Sequence, residues 1–236
     1  MHIILIPGFW LDGSSWDAVL PTLRAAGHQP HPLTLPGLEA KDADRSAITL
    51  RDHVNATVDV IDSLDPADGK VVLVGHSGGG AVVHAAVDAR PDRVARVVYT
   101  ASEPVGHGDC INDGFESVNG EVPMPDWSAF DEADLVGLDD ELRRQFREQA
   151  IPMPVHVTSD AQQLSDERRY DVPITVVCCE YTSDMLKEWM DQKEPGALEL
   201  TKIRDVELVD LQTGHWPQFS RPDDLGRAIV TAIGKE

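Results

Sequence analysis

Five short stretches of the chain are almost wholly apolar: residues 2–6, 71–74, 94–100, 174–179 and 206–211. Each is rich in Val, Ile and Leu and too short for a buried helix, the pattern of strands covered on both faces. Residues 31–35 form a sixth candidate, broken up by Pro30 and Pro32. Between these runs the period lengthens to that of amphipathic helices. Residues 15–26 place Trp16, Leu20 and Leu23 on one face, with Gly27 as a stop and Pro21 as an interruption. Thr49-Leu50-Arg51-Asp52 has the form of a capping box ahead of Val54, Val58 and Ile61. Residues 81–89 read as a helix halted before Pro91. Ser220 and Asp223 read as a second capping box, opening a last helix that turns Leu225, Ile229 and Ile233 inward.

Strand and helix thus alternate through most of the chain. That order predicts an α/β fold: a mostly parallel central sheet with helices on both faces. Residues 105–170 depart from it. They are acidic and poor in strand pattern, hold Met124, Trp127, Phe130 and Met153 among Pro, Gly and Asp, and contain one helical stretch at 141–149. The expected organisation is a core formed by 1–104 and 171–236, with 105–170 inserted as a helical cap or lid.

The length, 236 residues, suits one domain with an insertion rather than two domains. The net charge of -21 argues against nucleic acid and anionic membranes as partners, because it repels both sets of phosphates. Cys110, Cys178 and Cys179 make neither a metal-spaced array nor a full disulfide framework. The opening MHIILIPG lacks a basic region, and Pro7 cuts its apolar run short. A cytoplasmic protein with a small-molecule substrate and no metal or organic cofactor is expected, with a homodimer left open.

The chemistry is concentrated at two places. The run 71–74 leads directly into Gly75-His76-Ser77-Gly78-Gly79-Gly80 and then into a helix. This is G-x-S-x-G between strand and helix. A Ser on so sharp a turn needs small neighbours two residues away, and it then sits at a helix N-terminus that favours developing negative charge. The bland alternative is a glycine-rich turn with a Ser by chance. A phosphate-binding loop at 8–15 is excluded by Ser14 where Lys is needed and by the bulk of Phe9, Trp10 and Leu11. Ser77 needs a base, and His215 in Thr213-Gly214-His215-Trp216-Pro217 follows the last strand, where the His of a Ser…acid…His order belongs. His76 reads as packing or pocket lining.

These motifs, with Ile6-Pro7-Gly8-Phe9 after the first strand, resemble the α/β-hydrolase superfamily over nearly the whole chain. The chain looks closest to small bacterial esterase-like members, similar in turn to plant methylesterases and hydroxynitrile lyases. The resemblance implies a nucleophile at Ser77, a base at His215, and an oxyanion hole from the N–H groups of Phe9 and Gly78. Pro7-Gly8 stands where many relatives have His-Gly. The family's acid follows the penultimate strand, at a position that falls here on Thr182; Asp184 lies two residues later and Glu180 two earlier. Some members carry it after the strand that follows the nucleophile helix, which is where Glu103 falls. Asp184 and Glu103 are the leading candidates, with Glu180 behind them.

The implied activity is cleavage of a carboxylic ester or lactone of a small, largely apolar substrate through an acyl-enzyme on Ser77. Trp10, His76 and Trp216 are expected to touch the substrate. Two rivals use the same fold. One is a cyanohydrin lyase, for which a pocket Lys would speak and against which the Lys-free stretch 105–170 counts. The other is a catalytically silent ligand binder.

Overall fold

The computed structural model describes residues 1–234. Its strands are, in chain order, β1 (His2–Ile6), β2 (Gln29–Pro32), β3 (Val71–His76), β4 (Val94–Thr100), β5 (Glu121–Val122), β6 (Met153–Pro154), β7 (Ile174–Cys178) and β8 (Val206–Asp210). Six of them form one parallel sheet in the order β2-β1-β3-β4-β7-β8. The chain runs from β1 out to the β2 edge, returns past β1 to β3, and from there moves steadily outward. The order therefore reverses between β1 and β3, and the loops leaving those two strands open a crevice at their C-terminal ends. Ile6 lies beside Gly75, and His76 beside Thr100, so these strands finish together at that crevice.

Strand alternation divides the core into two layers. Ile4, Ile6, Val71, Leu73 and Tyr99 pack on one side with α2 (Leu50–Ser63) and α3 (Gly79–Ala89). Ile3, Leu5, Val72, Val74 and Val98 pack on the other with α1 (Leu20–Ala25) and α8 (Pro222–Ile233). Burial of each such side chain is worth about 1.5–3 kcal/mol. α1 and α8 meet closely, since a Cβ on Gly226 would fall 2.7 Å from the Thr22 Cβ.

Local chemistry explains where elements begin. Thr49 caps α2 by accepting the Asp52 N–H at 3.3 Å, while the Asp52 carboxylate accepts the Thr49 N–H at 2.8 Å. The helix expected over 15–26 is instead a 3-10 turn at Gly13–Trp16 followed by α1, with Pro21 in the first turn, where its missing N–H costs nothing. The second capping box does not form. α8 starts at Pro222, and the Ser220 hydroxyl is engaged with Thr213 Oγ1 at 2.7 Å. β2 covers 29–32 rather than 31–35, and its two prolines are tolerated because it is an edge strand. β8 is the other edge and is only half-buried, not covered on both faces. A helix absent from the apolar pattern, α6 (Ser183–Gln192), follows β7; it buries only Leu186 fully.

Between β4 and β7 lie β5 and β6, paired antiparallel, with α4 (Asp140–Gln149) and α5 (Val155–Ser159). This stretch is mixed in structure rather than purely helical. It is fastened to the loop after β1 by Ile151 N–H donating to the Trp10 carbonyl at 3.0 Å. The short α7 (Pro217–Ser220) precedes α8. Among the described residues no helix is long and apolar enough to cross a membrane.

Candidate active site

Ser77 sits on the turn between β3 and α3 with φ = 50°, a left-handed conformation that a non-glycine residue adopts only under constraint. Its N–H donates to the Thr100 carbonyl at 3.1 Å, and its carbonyl accepts the Gly80 N–H at 2.8 Å, so both sides of the turn are pinned. Glycine is required around it by contact. A Cβ on Gly79 would come within 2.6 Å of the Pro7 carbonyl oxygen, and one on Gly75 within 2.8 Å of the Gly79 carbonyl oxygen.

His215 lies on the loop after β8. Its Nε2 is 2.8 Å from Ser77 Oγ, and its Nδ1 is 2.7 Å from Glu180 Oε1. A carboxylate accepts only, so Nδ1 carries the proton and Nε2 is free to accept the Ser77 O–H. The acid joined to His215 is therefore Glu180, one residue past Cys179, and the two leading sequence candidates are corrected. Asp184 lies in the first turn of α6 with its side chain 90% exposed, paired with Lys187 at 2.9 Å. Glu103 accepts from the Tyr181 hydroxyl instead of from His215, and burial pushes its carboxyl up to about 6. Thr182, at the family's usual position, caps α6 by accepting the Met185 N–H. The chain uses that residue to start a helix, and the carboxylate stands two residues earlier, just past the end of β7.

The His215 loop is held from both sides. Its N–H donates to the Asp134 carbonyl at 2.8 Å, and the Gly214 N–H to the Val136 carbonyl at 3.0 Å. From below, His76 Nε2–H donates to the His215 carbonyl at 2.7 Å, while His76 Nδ1 accepts from Gln218 at 3.2 Å. His76 is fully buried, and burial lowers its pKa to about 3, so it stays neutral. Its expected contact with substrate is corrected: it is absent from the cavity wall and supports the loop instead. In sequence it is merely the neighbour of Ser77, but its partners lie about 140 residues away, beyond the reach of spacing arguments.

A cavity of about 890 Å³ opens above Ser77 and His215. Phe9, Trp10, Phe130 and Trp216 form part of its wall, with Gly78 at its base. Trp10 is fixed by its indole N–H donating to the Val122 carbonyl at 3.1 Å, and Trp216 meets Phe130 edge-on at 5.3 Å. Trp127 and Phe146 back Trp216 from outside the cavity. Met124 and Met153 likewise lie outside the wall, Met153 in the core and Met124 half-buried against it. The Phe9 ring covers Gly78 so closely that a Cβ there would fall 2.4 Å from it. His107 lines the cavity and accepts the Leu164 N–H, whereas His156 is exposed beside Asp160.

Among the described residues, one group of side chains is close enough to share a cation: Asp134, Glu180 and His215, with potential ligand atoms within 4.8 Å of one another. A metal there would have to take a His215 nitrogen from Ser77 or Glu180. Burial pushes the Asp134 carboxyl upward, partly offset by His215.

Residues 3–228 match the model of the alpha/beta hydrolase family. A pyrethroid hydrolase of Sphingobium wenxiniae is 37% identical over 97 residues, 41% of this chain and 34% of that protein. Salicylic acid-binding protein 2 of Nicotiana tabacum is 32% identical over 133 residues, 53% of this chain and 48% of that one. The matched part thus spans half or less of these two relatives. In structure, the chain superposes on a methylesterase from Arabidopsis with a TM-score of 0.78, covering 99% of both chains at 20% identity.

Proposed function

The chain belongs to the alpha/beta hydrolase family, and from that premise we propose that it is a serine esterase acting on small carboxylic esters through an acyl-enzyme. The observation that carries this reading is the continuous hydrogen-bonded line from Ser77 through His215 to Glu180 along the wall of the cavity.

In the proposed reaction Ser77 Oγ attacks the ester carbonyl carbon as its proton passes to His215 Nε2. Glu180 holds the imidazole in the Nδ1–H tautomer and stabilises the imidazolium that forms. The N–H groups of Phe9 and Gly78 take the oxyanion. Among the described residues neither is paired with a protein acceptor, and the covering Phe9 ring brings the two loops together. When the tetrahedral centre collapses, the carbon–oxygen bond to the alcohol breaks, and His215 gives its proton to the leaving oxygen. Water then attacks the acyl group, again losing a proton to His215. The acid leaves as that proton returns to Ser77. Residues 105–170 act in this reading as a cap, excluding water and supplying Phe130 and Phe115 to the wall.

The test is turnover of p-nitrophenyl acetate and butyrate. Wild-type protein is expected to release nitrophenol with a burst, and Ser77→Ala and His215→Ala to lose nearly all of the rate. A folded wild-type protein no faster than Ser77→Ala would overturn the esterase reading. Cyanohydrin cleavage is the second reading, favoured by one observation. Lys202 lines the cavity, coming from outside residues 105–170, although its Nζ is bound to Glu199 at 2.8 Å. Cyanide release from mandelonitrile, abolished by Lys202→Ala, would support it.

A further inference from the structure

The charge of the cavity wall is one-sided. Glu103, Asp109, Asp134, Glu180 and Glu199 line it, and among the described residues Lys202 is its only Lys or Arg. Most of these carboxylates have work elsewhere. Glu199 is paired with Arg169 at 3.2 Å and with Lys202; burial alone would raise its carboxyl, but hydrogen bonds from His84 at 3.1 Å, Lys202 and Tyr170 hold it well below the usual range. Glu180 is committed to His215, and Glu103 to Tyr181. Asp109 is exposed, whereas Asp134 lies beside the reacting groups. It is half-buried, its carboxylate accepts only the Asp131 N–H at 3.1 Å, and among the described residues it has no Lys or Arg partner. It also stands close to the reacting groups, within 4.8 Å of the Glu180 and His215 ligand atoms.

A second, independent feature shares the cavity wall with this carboxylate. Trp10, Phe115, Phe130 and Trp216 all line the cavity, and Trp10 meets Phe115 at 5.1 Å and Phe130 at 6.0 Å. Aromatic rings that meet edge-on in one wall with a carboxylate suit a cation with little hydration, such as a substituted ammonium group. They offer nothing to a free carboxylate, which would meet Asp134 and Glu180 at short range. The chain's net charge of -21 adds a field that draws cations toward the opening and pushes anions away.

We propose that the cavity selects esters carrying a positive charge a short linker from the carbonyl, with Asp134 and the Trp10–Phe115–Phe130–Trp216 wall receiving an ammonium group, and that it disfavours substrates with a free carboxylate. This rests on the esterase reading for its chemistry but not for its binding step. The same wall repels the acid product once it ionises, which speeds its departure.

The test compares butyrylcholine with its uncharged isostere, 3,3-dimethylbutyl butyrate, in which carbon replaces the ammonium nitrogen. The ratio of kcat/KM values is measured for wild type, Asp134→Asn and the off-cavity control Asp184→Asn. Wild type is expected to favour the cation by about tenfold. Asp134→Asn lowers that ratio several-fold, and Asp184→Asn leaves it within a factor of two. A wild-type ratio of one or less, or a ratio unchanged in Asp134→Asn, overturns the proposal. Binding of phenyltrimethylammonium, followed by calorimetry, separates this from the esterase reading. If no ester turns over, saturable binding that weakens in Asp134→Asn still supports the charge preference. No binding, or binding equal in the two proteins, ends it.

Discussion

The main-chain N–H of His215 donates to the carbonyl oxygen of Asp134 at 2.8 Å, so the proposed base hangs from the segment between β4 and β7 rather than from its own strand alone. Gly214 makes that approach possible, since a Cβ there would fall 2.2 Å from the Asp134 carbonyl oxygen and 2.6 Å from that of Val136. Gly214→Ala is therefore expected to push the two loops apart and shift His215 Nε2 away from Ser77 Oγ. Displacements of this kind cost about a hundredfold in rate. Nitrophenyl butyrate kinetics beside a thermal melt would check it; a variant with wild-type kcat would show that the contact does not position the base.

Glu180→Gln should cost more than either alternative. It removes the charge that favours the imidazolium, and its amide can settle with the wrong group toward Nδ1. The expected loss in kcat is about a hundredfold or more. Asp184→Asn, at an exposed carboxylate paired only with Lys187, should stay within about twofold. Equal rates for Glu180→Gln and Asp184→Asn would remove Glu180 from the mechanism.

Acid should destabilise the fold through its buried imidazoles, His53 and His76 among them. Burial lowers His53 to about 4 and His76 to about 3 from the ordinary 6.5. The unfolded chain takes up protons below pH 6.5 while the folded chain does not. Their contribution is thus complete above 6.5 and is lost progressively as pH falls toward 4. The slope approaches about 1.4 kcal/mol per pH unit for each His. Urea unfolding at pH 7.5, 6.0 and 5.0 should show His53→Gln with a shallower decline than wild type. Parallel declines would mean that His53 is already protonated in the folded protein.

The thiols should divide one against two. Cys178 and Cys179 are buried, and burial together with nearby carboxylates pushes Cys178 up to about 12 and raises Cys179 as well. Cys110 is partly open and lines the cavity. With an aromatic disulfide reagent at pH 8, a single fast thiol is expected, absent in Cys110→Ser, with the other two released by denaturant. Fast reaction of more than one thiol in the native protein would contradict this burial.

What the sequence disclosed about this molecule depended on how local the signal was. Dense β-branched runs announced five strands, and the Thr49–Asp52 pair marked its own helix start. The turn at Ser77 and the loop at His215 were legible because each carries its glycines beside it. The acid was not, because its choice rests on where α6 begins. Thr182 had to be recognised as a cap before Glu180 became the last free carboxylate. His76 was misplaced for a related reason, since its partners at 215 and 218 come close only when the chain closes. Asp134 gave no signal among the many acidic residues of its stretch.

The glycines that let the loops meet around Ser77 also divide the site by how freely it can vary. Added methyl groups at 8, 75, 78 and 79 would each come within 2.8 Å of another loop or turn, so heritable change is nearly closed on that rim. Residues 103–107 and 109–112 border the same cavity without such crowding against the turn. Lineages of this chain would therefore acquire new substrates from that side, and a library randomised over 103–112 should stay folded far more often than one randomised over 75–79.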